Sequence, residues 1–492
     1  MIVIASKKVA ISASIGDIEY PAAPPFSPDR EYPELKFRVY PERVKNAIYK
    51  LARQLLIDMG LDQAHIETPQ WNPFGVIIKP GQKVLVKPNM VRHFHLGGGN
   101  FNSVITHGSL VRFVLDYVGL ALKGQGEITV GDAPVQSADF NKLLEITGLR
   151  QICDEVSNIW QIPVRLIDFR LMAIELDERH CIVKRSVLEG DTKGYLSVNL
   201  GGKSLLKPLE KQSSKFRVSS YDCQMMREHH NEITHEYLIP RTVLESDVVL
   251  NIPKLKTHRK VGLTACLKNL VGINGHKDWL PHHRTGSIEE GGDEYHYPSL
   301  IKRVQDKLAE SMGDDWDFNP KKNIFRRLGL KALDPMARHL AKDAYTEGSW
   351  YGNDTLWRTV LDLNRLLIYA DKDGKMRATP QRKCFNIVDA IIAGEKEGPM
   401  EPDPRPLGLL IGGVNPVAVD TVLSTMIGFD YKKIPLISNG FNRMDWPLVN
   451  FGPMDIEIIS EDVRLRGLRI GRPFNEFNFK APSGWAGHVE KY

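Results

Sequence analysis

Short apolar runs that end in Gly, Pro, Asp or Asn alternate with longer stretches of helical periodicity along the chain. The runs are KVLVK (83–87), EITVGD (127–132), PVRLIDF (163–169), DVVLNIP (247–253), FNIVDAII (385–392) and PLGLLIGG (406–413). Runs of this length and boundary are typical of strands buried on both faces. HGSLVRFVLDYVGLALK, between the first two runs, has apolar residues at helical spacing. The pattern predicts an α/β fold, a mainly parallel sheet with helices on both faces.

Two long segments interrupt this alternation. Residues 180–240 contain short alternating runs separated by glycines, which predicts an insertion of antiparallel hairpins between the third and fourth strands. Residues 275–350 are polar and rich in charge, histidine and tryptophan, which predicts an insertion of helices and loops that could form a lid. We predict three parts of the chain: an N-terminal arm and helix (1–75), an α/β core with both insertions (76–435) and a C-terminal extension (436–492).

Charge and hydropathy narrow the class of protein. The 492 residues include 65 basic and 60 acidic side chains, so the formal net charge of +5 is small for the length. This excess cannot supply many phosphate contacts, and we expect no nucleic-acid partner. No window reaches the roughly 18 apolar residues that a membrane span needs, so we expect a soluble protein.

The cysteines and the N-terminus predict the compartment. The five cysteines are widely spaced and form no Cys-x-x-Cys pair, so neither a disulfide framework nor a four-thiolate metal cluster is expected. The N-terminal MIVIASKKVAISAS lacks the features of a signal peptide and predicts a first strand instead. Both features favour a reducing, cytoplasmic location.

Polar residues at the ends of the apolar runs predict where a site lies. In open parallel sheets, ligands bind at the carboxyl ends of the strands. The polar residues at or beyond those ends are Lys87, Asn89, Asp132, Lys254, Lys256, Thr257, His258, Asp389, Glu395 and Asp420. We therefore expect one edge of the sheet to gather lysines, an asparagine, a histidine and carboxylates.

The densest polar stretch is NIPKLKTHRKVGLTACLKNLVGINGHKDWLPHHRTG (251–286). Its first part predicts a basic loop, and LTACLKNLVGI predicts a short helix with Lys268 and Asn269 just before Gly272. A basic loop that opens a helix suits an anion, since free backbone amides and the helix dipole both favour negative charge. Phosphate and carboxylate fit equally. The alternative, that each lysine is a solvated surface residue, is disfavoured by the clustering of so many polar residues at one strand end.

Several histidines have two interpretations. His107 lies at the start of a predicted helix, where Thr106 could cap the helix and His107 could act as an acid or a base. His282 and His283 follow His276 closely and could bind a metal, although their spacing matches no compact zinc motif.

The buried charges also have two interpretations. Lys87 ends a buried strand and is expected to meet a carboxylate or a ligand, because an unpaired buried charge is costly. Asp389 lies inside an apolar run, so it is either paired with a strand-end lysine or placed for chemistry. Together with Glu395 and Asp420 it would form an oxygen-rich set that suits magnesium or manganese.

Three blocks of sequence resemble the domain of unknown function (DUF) 362 family. VLVKPNMV, ITHGSLVRFVLDYV and EITVGDAP are similar to its opening, and DVVLNIPKLKTHRKVGLTACLKNLVGI carries its Pro-Lys-x-Lys-Thr-His segment followed by Lys-Asn-x-x-Gly. NIVDAIIAGEKEGP and NPVAVDTVLSTMIGF resemble its third block. The resemblance implies no settled reaction. Many relatives carry ferredoxin-like cysteine motifs, which this sequence lacks, so no iron–sulfur cluster is expected.

A more distant likeness concerns His258, Gly262 and Lys268. These residues are similar to a segment of nickel-pincer lactate racemases, in which a lysine anchors a pyridinium-derived nickel cofactor and histidines act as acid, base or ligand. The likeness implies that Lys268 matches the tether and His258 the proton-transfer residue.

We predict an enzyme that acts on a small anionic substrate of phosphate, carboxylate or sugar type. The predicted catalytic residues are His258, Lys268, Lys256 and Asp389, with His258 moving the proton because its ordinary pKa lies near neutrality. The predicted substrate-binding residues are Lys87, Asn89, His107, Lys254, Thr257, Asn269 and Asp132. The predicted metal ligands are Glu395, Asp420, His282 and His283, with the cofactor otherwise unknown. The alternatives are a non-catalytic protein that binds an anion or a partner, and a nickel-pincer racemase or epimerase.

Overall fold

The computed structural model describes residues 2–14, 18–35, 46–176, 182–218, 222–313, 329, 333, 341 and 343–490. The strands in this part of the chain are β1 (Lys8–Ala13), β2 (Lys83–Pro88), β3 (Glu127–Asp132), β4 (Val164–Asp168), β5 (Met172–Leu176), β6 (Ile182–Val187), β7 (Tyr195–Asn199), β8 (Phe216–Arg217), β9 (Glu236–Pro240), β10 (Val248–Ile252), β11 (Lys254–His258), β12 (Gly262–Thr264), β13 (His283–Arg284), β14 (Lys383–Glu395), β15 (Asp403–Gly413) and β16 (Glu457–Ile459). The six strands that the apolar runs predict are confirmed as β2, β3, β4, β10, β14 and β15.

The α-helices that the structure describes are α1 (Ile2–Ala5), α2 (Ile48–Asp58), α3 (Gly108–Leu122), α4 (Phe140–Thr147), α5 (Leu149–Trp160), α6 (Cys223–His229), α7 (Arg241–Glu245), α8 (Cys266–Asn269), α9 (Leu300–Gly313), α10 (Leu356–Tyr369), α11 (Pro416–Met426) and α12 (Pro435–Ser438). The helix predicted between the first two runs is α3. His107, and not Thr106, is its N-cap: the His107 side chain accepts the Ser109 N–H. The hydroxyl of Thr106 instead accepts the Asn89 N–H and donates to the carbonyl of Ile252.

One sheet of ten strands forms the centre of the described structure. Its order is β16–β1–β15–β14–β10–β2–β3–β4, with β11 beside β14 and β12 beside β11. Six of these strand pairs are parallel and three are antiparallel. The predicted α/β class with a mainly parallel sheet is confirmed. β14 and β15 are antiparallel because the short connection between them leaves no room for a crossover.

Helices cover both faces of this sheet. On β15, a Cβ placed at Gly412 would meet Leu55 of α2 at 3.1 Å, whereas a Cβ at Gly413 would meet Val419 of α11 at 2.7 Å. Consecutive residues of a strand point to opposite faces, so α2 and α11 lie on opposite sides. Both glycines let a helix approach the strand closely.

Strands β10 and β11 lie end to end along the long strand β14. Residues 248–251 pair with 383–386, and Lys254 then pairs with Asp389. The prediction of a basic loop after β10 is therefore wrong, because this backbone continues the sheet. Lys254, Lys256 and His258 occupy alternating strand positions, so they share one face of β11.

Both predicted insertions are present. Within the described residues, β5 pairs with β6 and β7 with β9, each pair antiparallel, which confirms the hairpins. The second insertion contributes loops, short turns and α9, and its strand β13 pairs with β8 of the first. The remainder of the second insertion, between residues 314 and 342, lies largely outside the described residues. Cys181 also lies outside them.

The ends of the chain contribute strands to the main sheet. The first strand predicted at the N-terminus is β1, and it lies between β15 and β16, the latter from the predicted C-terminal extension. The boundaries of the three predicted parts stay a prediction. In the portion of the chain that the structure describes, no helix is long and apolar enough to cross a membrane.

Candidate functional site

A cavity of about 290 Å³ opens at the carboxyl ends of β2 and β3. Residues that follow these two strands, the end of β11, α8 and part of the second insertion form its wall. Its basic side chains are Arg92, His258, Arg259, Lys260, Lys268, Lys277 and His282, and its carboxylates are Asp132 and Glu347. The predicted edge of the sheet therefore carries a cavity rich in positive charge.

The carboxylate of Asp132 is already paired. Its Oδ1 lies 2.7 Å from Nζ of Lys87, and its Oδ2 accepts the Met90 N–H at 2.8 Å. Burial lowers the pKa of Lys87, and the charge of Asp132 opposes this change. Gly272 packs directly on the pair, since a Cβ there would lie 1.8 Å from Oδ1 of Asp132. Lys87 thus meets the carboxylate that its buried position requires, and only glycine fits beside it.

A chain of four asparagines connects α8 to the sheet. Nδ2 of Asn89 donates to Oδ1 of Asn269 at 3.0 Å. Nδ2 of Asn269 donates to Oδ1 of Asn251 at 2.7 Å, and Nδ2 of Asn251 donates to Oδ1 of Asn386 at 2.9 Å. All four side chains are buried, so each satisfied amide holds its neighbour in place. Asn89 and Asn269 also line the cavity.

Asp389 forms a second buried pair, behind the cavity. Its Oδ2 lies 2.9 Å from Nζ of Lys254, and its Oδ1 accepts the hydroxyl of Tyr20 at 2.5 Å. Burial, and then the charge of Asp389, raises the pKa of Tyr20. The ring of Tyr20 stacks on His107 at 4.1 Å. Burial lowers the pKa of His107 to about 4. Neither Lys254, Asp389 nor His107 lines the cavity, and the pairing matches the structural interpretation of Asp389.

Lys256 is buried with a full set of acceptors. Its Nζ donates to Oδ1 of Asn89 at 3.2 Å, to the carbonyl of Pro399 at 3.1 Å and to the carbonyl of Val104. Three acceptors match the three N–H bonds of an ammonium group. Burial nevertheless lowers the pKa of Lys256 well below its ordinary value. Lys256 does not line the cavity but donates to two residues that do, Asn89 and Pro399. Thr257 points elsewhere, with its hydroxyl donating to a backbone carbonyl at 2.7 Å.

The carboxylate of Asp420 occupies the amides at the start of α8. Oδ1 and Oδ2 of Asp420 accept the N–H groups of Cys266 and Leu267 at 2.8 and 3.0 Å. The expectation that these free amides bind a substrate anion is therefore wrong, because the carboxylate already occupies them. Burial raises the pKa of Asp420 to about 7.

The residues predicted as metal ligands are dispersed. Oε2 of Glu395 accepts the N–H of Lys480 at 2.8 Å, Asp420 caps α8, and neither carboxylate lines the cavity. His283 is buried, with Nε2 at 3.8 Å from Glu294. Across the residues that the structure describes, no group of three or more His, Cys, Asp or Glu side chains could hold a metal ion. Among the four predicted ligands, His282 alone lines the cavity.

His258 and His282 reach the cavity with opposite hydrogen-bonding character. The Lys260 N–H donates to Nδ1 of His258 at 3.0 Å, so the neutral ring carries its proton on Nε2. In His282, Nδ1 lies 2.7 Å from the carbonyl of Leu280, so Nδ1 is the donor and Nε2 has a free lone pair. Burial, and then the charge of Lys268, lowers the pKa of both rings well below their ordinary value. His258 therefore offers a donor and His282 an acceptor.

Lys268 and Lys277 line the cavity without a partner among the described residues. Neither Nζ lies within bonding distance of a described acceptor. Burial, and then the charges of Lys260 and Lys87, lowers the pKa of Lys268 to about 7. Burial lowers the pKa of Lys277 to about 7, with Asp132 opposing it. No described carboxylate forms an ion pair with either side chain.

Sequence reasoning missed Lys277, Lys260, Asn251 and Asn386. Lys277 lies in a segment where only the histidines attracted attention, and Lys260 follows the recognised Lys-Thr-His residues. Asn251 and Asn386 are polar residues inside apolar strands, which is the signal that could have revealed the amide chain.

Three comparisons relate the chain to known proteins. The model of a family described as "Domain of unknown function (DUF362)" matches residues 84–191 and 203–425. No curated protein matches the sequence. A crystal structure of a protein from Thermotoga maritima, a Northeast Structural Genomics Consortium target, is similar over 76% of this chain, with 12% identity and a TM-score of 0.30. The chain covers 58% of that protein's length. The family description names no activity.

Proposed function

The chain belongs to the DUF362 family, and on that premise we propose that it is an enzyme that binds a small anionic substrate in the cavity beside α8 and moves a proton on it. The observation that carries the proposal is the pair Lys268 and Lys277, which line a small cavity with no acceptor among the described residues. Lys277 is buried and Lys268 is partly buried. An ammonium group held away from water without a counter-charge is costly, and a ligand carboxylate or phosphate would remove that cost.

The cavity carboxylates do not compete for these lysines. Asp132 is held by Lys87 at 2.7 Å, and Glu347 lies 3.5 Å from Lys260. Lys268 and Lys277 are therefore the side chains best placed to hold an anion. The cavity volume of about 290 Å³ limits the ligand to a small molecule.

The two histidines divide the proton chemistry. His282 presents an unprotonated Nε2, so it is the proposed proton acceptor, and His258 presents an N–H that would stabilise negative charge developing on a substrate oxygen. Proton transfer, predicted for His258, is thus reassigned to His282. Lys268 stays a proposed catalytic residue. Lys256 and Asp389 would act by positioning, since they hold the cavity wall from behind.

Anion binding is tested with sulfate, which does not change its charge between pH 6 and 9. Calorimetric titration at pH 6.5 should give one site, and Lys268→Met or Lys277→Met should weaken it about 10- to 100-fold, the value of one charge-assisted hydrogen bond. Lys372→Met, at an exposed position, is the matched control and should bind like the wild type. Equal affinities in all four proteins would contradict the proposal.

Turnover is tested by exchange of carbon-bound hydrogen in heavy water. Small carboxylates and phosphates that compete with sulfate are incubated with the protein, and deuterium uptake is followed by NMR. His282→Gln should bind these anions with similar affinity but lose exchange at least about tenfold, the contribution of a general base. Exchange at the wild-type rate in His282→Gln would overturn the assignment of the base.

The second candidate is a non-catalytic anion-binding protein. It is favoured by the placement of Asp389, Glu395 and Asp420, none of which lines the cavity. Binding of competing anions without exchange of any of them would favour it.

The nickel-pincer alternative is supported only in part. Lys268 and His258 both line the cavity, whereas Gly262 does not: a Cβ placed there would meet the ring of Trp485 at 3.2 Å. Intact-mass spectrometry of freshly purified protein decides it, since that chemistry requires a covalent mass excess on Lys268 together with stoichiometric nickel.

A further inference from the structure

Lys268 stands on a firmly anchored segment. Asp420 accepts the N–H groups of Cys266 and Leu267, immediately before Lys268. Asn269, immediately after it, donates to Oδ1 of Asn251 at 2.7 Å. The backbone on each side of Lys268 is therefore tied to a buried carboxylate and to the amide chain. Such anchoring holds a reactive side chain in one place and leaves its end free in the cavity.

The surroundings of Lys268 differ from those of Lys87 and Lys254, which are fully buried. Lys87 and Lys254 each lie within 3 Å of a carboxylate oxygen, at 2.7 and 2.9 Å, whereas Lys268 has no described acceptor. Burial and the positive charges around it bring the pKa of Lys268 to about 7. About half of these side chains are then neutral amines at neutral pH, and a neutral amine is the nucleophilic form of lysine.

The two histidines complete the arrangement. Lys268, His258 and His282 line the same cavity of about 290 Å³, and Lys268 is the charge that most lowers the pKa of both rings. The Nε2–H of His258 can hold a carbonyl oxygen, and Nε2 of His282 can accept a proton from an amine. Lys277 lines the same cavity, where it can hold an anionic group.

We propose that Lys268 forms an imine with the carbonyl carbon of a small compound that also carries a carboxylate or a phosphate. This inference rests on the proposed function above and names the substrate class. The neutral Nζ attacks the carbonyl carbon, a C–N bond forms, and one amine proton passes through His282 to the carbonyl oxygen. Loss of that oxygen as water, with the second amine proton, leaves a C=N bond. One water is released for each imine, and no oxidant or reductant is needed.

An imine explains why two unbalanced lysines lie in one cavity. Lys277 would bind the anionic group, and Lys268 would react with the carbonyl. The imine nitrogen, once protonated, draws electrons from the adjacent carbon and makes its hydrogen acidic, which gives the free Nε2 of His282 a proton to accept. The proposal therefore links all four cavity groups to one sequence of steps.

The test is reductive trapping on the full-length protein. Glyoxylate supplies the carboxylate form of the probe and glyceraldehyde 3-phosphate the phosphate form, each with sodium cyanoborohydride at pH 7, followed by peptide mass mapping. We expect modification of Lys268 to exceed that of exposed lysines such as Lys372 by about tenfold or more, because far less of an exposed lysine is neutral at this pH. Glycolate and glycerol 3-phosphate, which lack the carbonyl, should protect Lys268 and form no adduct. Preference for one probe identifies the anionic group.

Two variants keep the outcome clear. Lys268→Arg retains positive charge without a nucleophilic amine, so it should bind sulfate and lose the adduct. Lys372→Arg, at an exposed position, should retain the adduct on Lys268. Sulfate binding by the wild type with no enrichment at Lys268 would overturn the imine alone, whereas absence of sulfate binding would overturn the proposed function. An adduct already present on Lys268 before any carbonyl is added would also overturn the imine, in favour of a resident group.

Discussion

Two clusters of charged side chains lie at and behind the cavity, and their lysines differ in whether they contact a carboxylate. The inner cluster, Lys87, Asp132, Lys254 and Asp389, lies in and behind the wall of the cavity, and each of its charges has a partner within 3 Å. The cavity cluster, His258, Lys268, Lys277 and His282, lines the open space, and its two lysines have no described acceptor.

The paired charges of the inner cluster stabilise the fold, whereas the unpaired charges of the cavity cluster can bind a ligand. Burial lowers the pKa of lysines in both clusters, and a nearby carboxylate opposes the change in both, but only the inner lysines contact a carboxylate within 3 Å. Paired charges hold strands and loops together and are sensitive to loss of either partner. Unbalanced charges destabilise the folded state slightly and are available to a ligand. Substitutions in the two clusters should therefore affect different measurements.

The largest effect is expected from Asp389→Asn. It leaves Lys254 buried without its counter-charge, which should lower the free energy of unfolding by about 3–5 kcal/mol. Urea denaturation followed by circular dichroism measures this change. Asp403→Asn is the control, because Asp403 pairs with a half-exposed Lys396 and should cost less than about 1 kcal/mol. If both variants lowered the free energy of unfolding equally, the buried pair would be no more important to stability than an exposed one, which would contradict the structural role of the inner cluster.

Gly272→Ala should cost somewhat less, about 2–4 kcal/mol. The added Cβ would overlap Oδ1 of Asp132 and crowd Nζ of Lys87, so the turn after α8 must move away from the pair. Thermal and urea unfolding both report the change. Gly202→Ala is matched to it, since nothing lies within 4 Å of a Cβ at Gly202, and its stability should stay close to that of the wild type.

Sulfate affinity should fall as pH rises above about 7. Lys268 and Lys277 have pKa values lowered to about 7, so above that pH each must regain a proton before it can hold the anion. For each proton that must be taken up, the affinity for sulfate falls about tenfold per pH unit above pH 7. Well below pH 7 both lysines are already protonated, and the affinity stays constant. Calorimetry from pH 6 to 9 measures it, and buffers of different ionisation enthalpy count the protons taken up. Lys277→Met should lower the slope, and a flat profile would contradict the assignment.

The smallest effect on stability is expected from Lys268→Met. Because the folded-state pKa of Lys268 lies below its unfolded value, folding a protonated Lys268 is unfavourable, most fully below about pH 7. Removing the charge should leave the free energy of unfolding unchanged or raise it by about 1 kcal/mol, more at pH 6 than at pH 9. A loss comparable to that of Asp389→Asn would place Lys268 in the inner cluster.

The fold could be predicted from the sequence because buried strands have a local signature. Val- and Ile-rich runs ending in turn residues identified six strands, five of which form four of the six parallel pairs in the main sheet. Pairing along β14 could not be predicted, and a strand with three polar residues on one face was taken for a loop. The segment resembles a loop locally, but it pairs with residues more than 130 positions away.

For the candidate site, residue types were foreseeable and their partners were not. Asn89, Asp132, His258, Lys268 and Asn269 line one cavity, as their place at the strand ends predicted. The other predicted residues, apart from His282, lie outside its lining. Lys277 lines the cavity from the second insertion, and the sequence around it gives no sign of this position.

The sequence by itself determined the α/β class, the family and the polar character of the strand ends, because each is a property of neighbouring residues. Only the tertiary structure decided which charges are balanced. Asp420 closes the helix start, Asp132 and Asp389 hold two lysines, and Lys268 is left to the cavity. The physical reason is that the state of a buried charge depends on what lies within a few ångströms of it, and in this fold those neighbours come from distant parts of the chain.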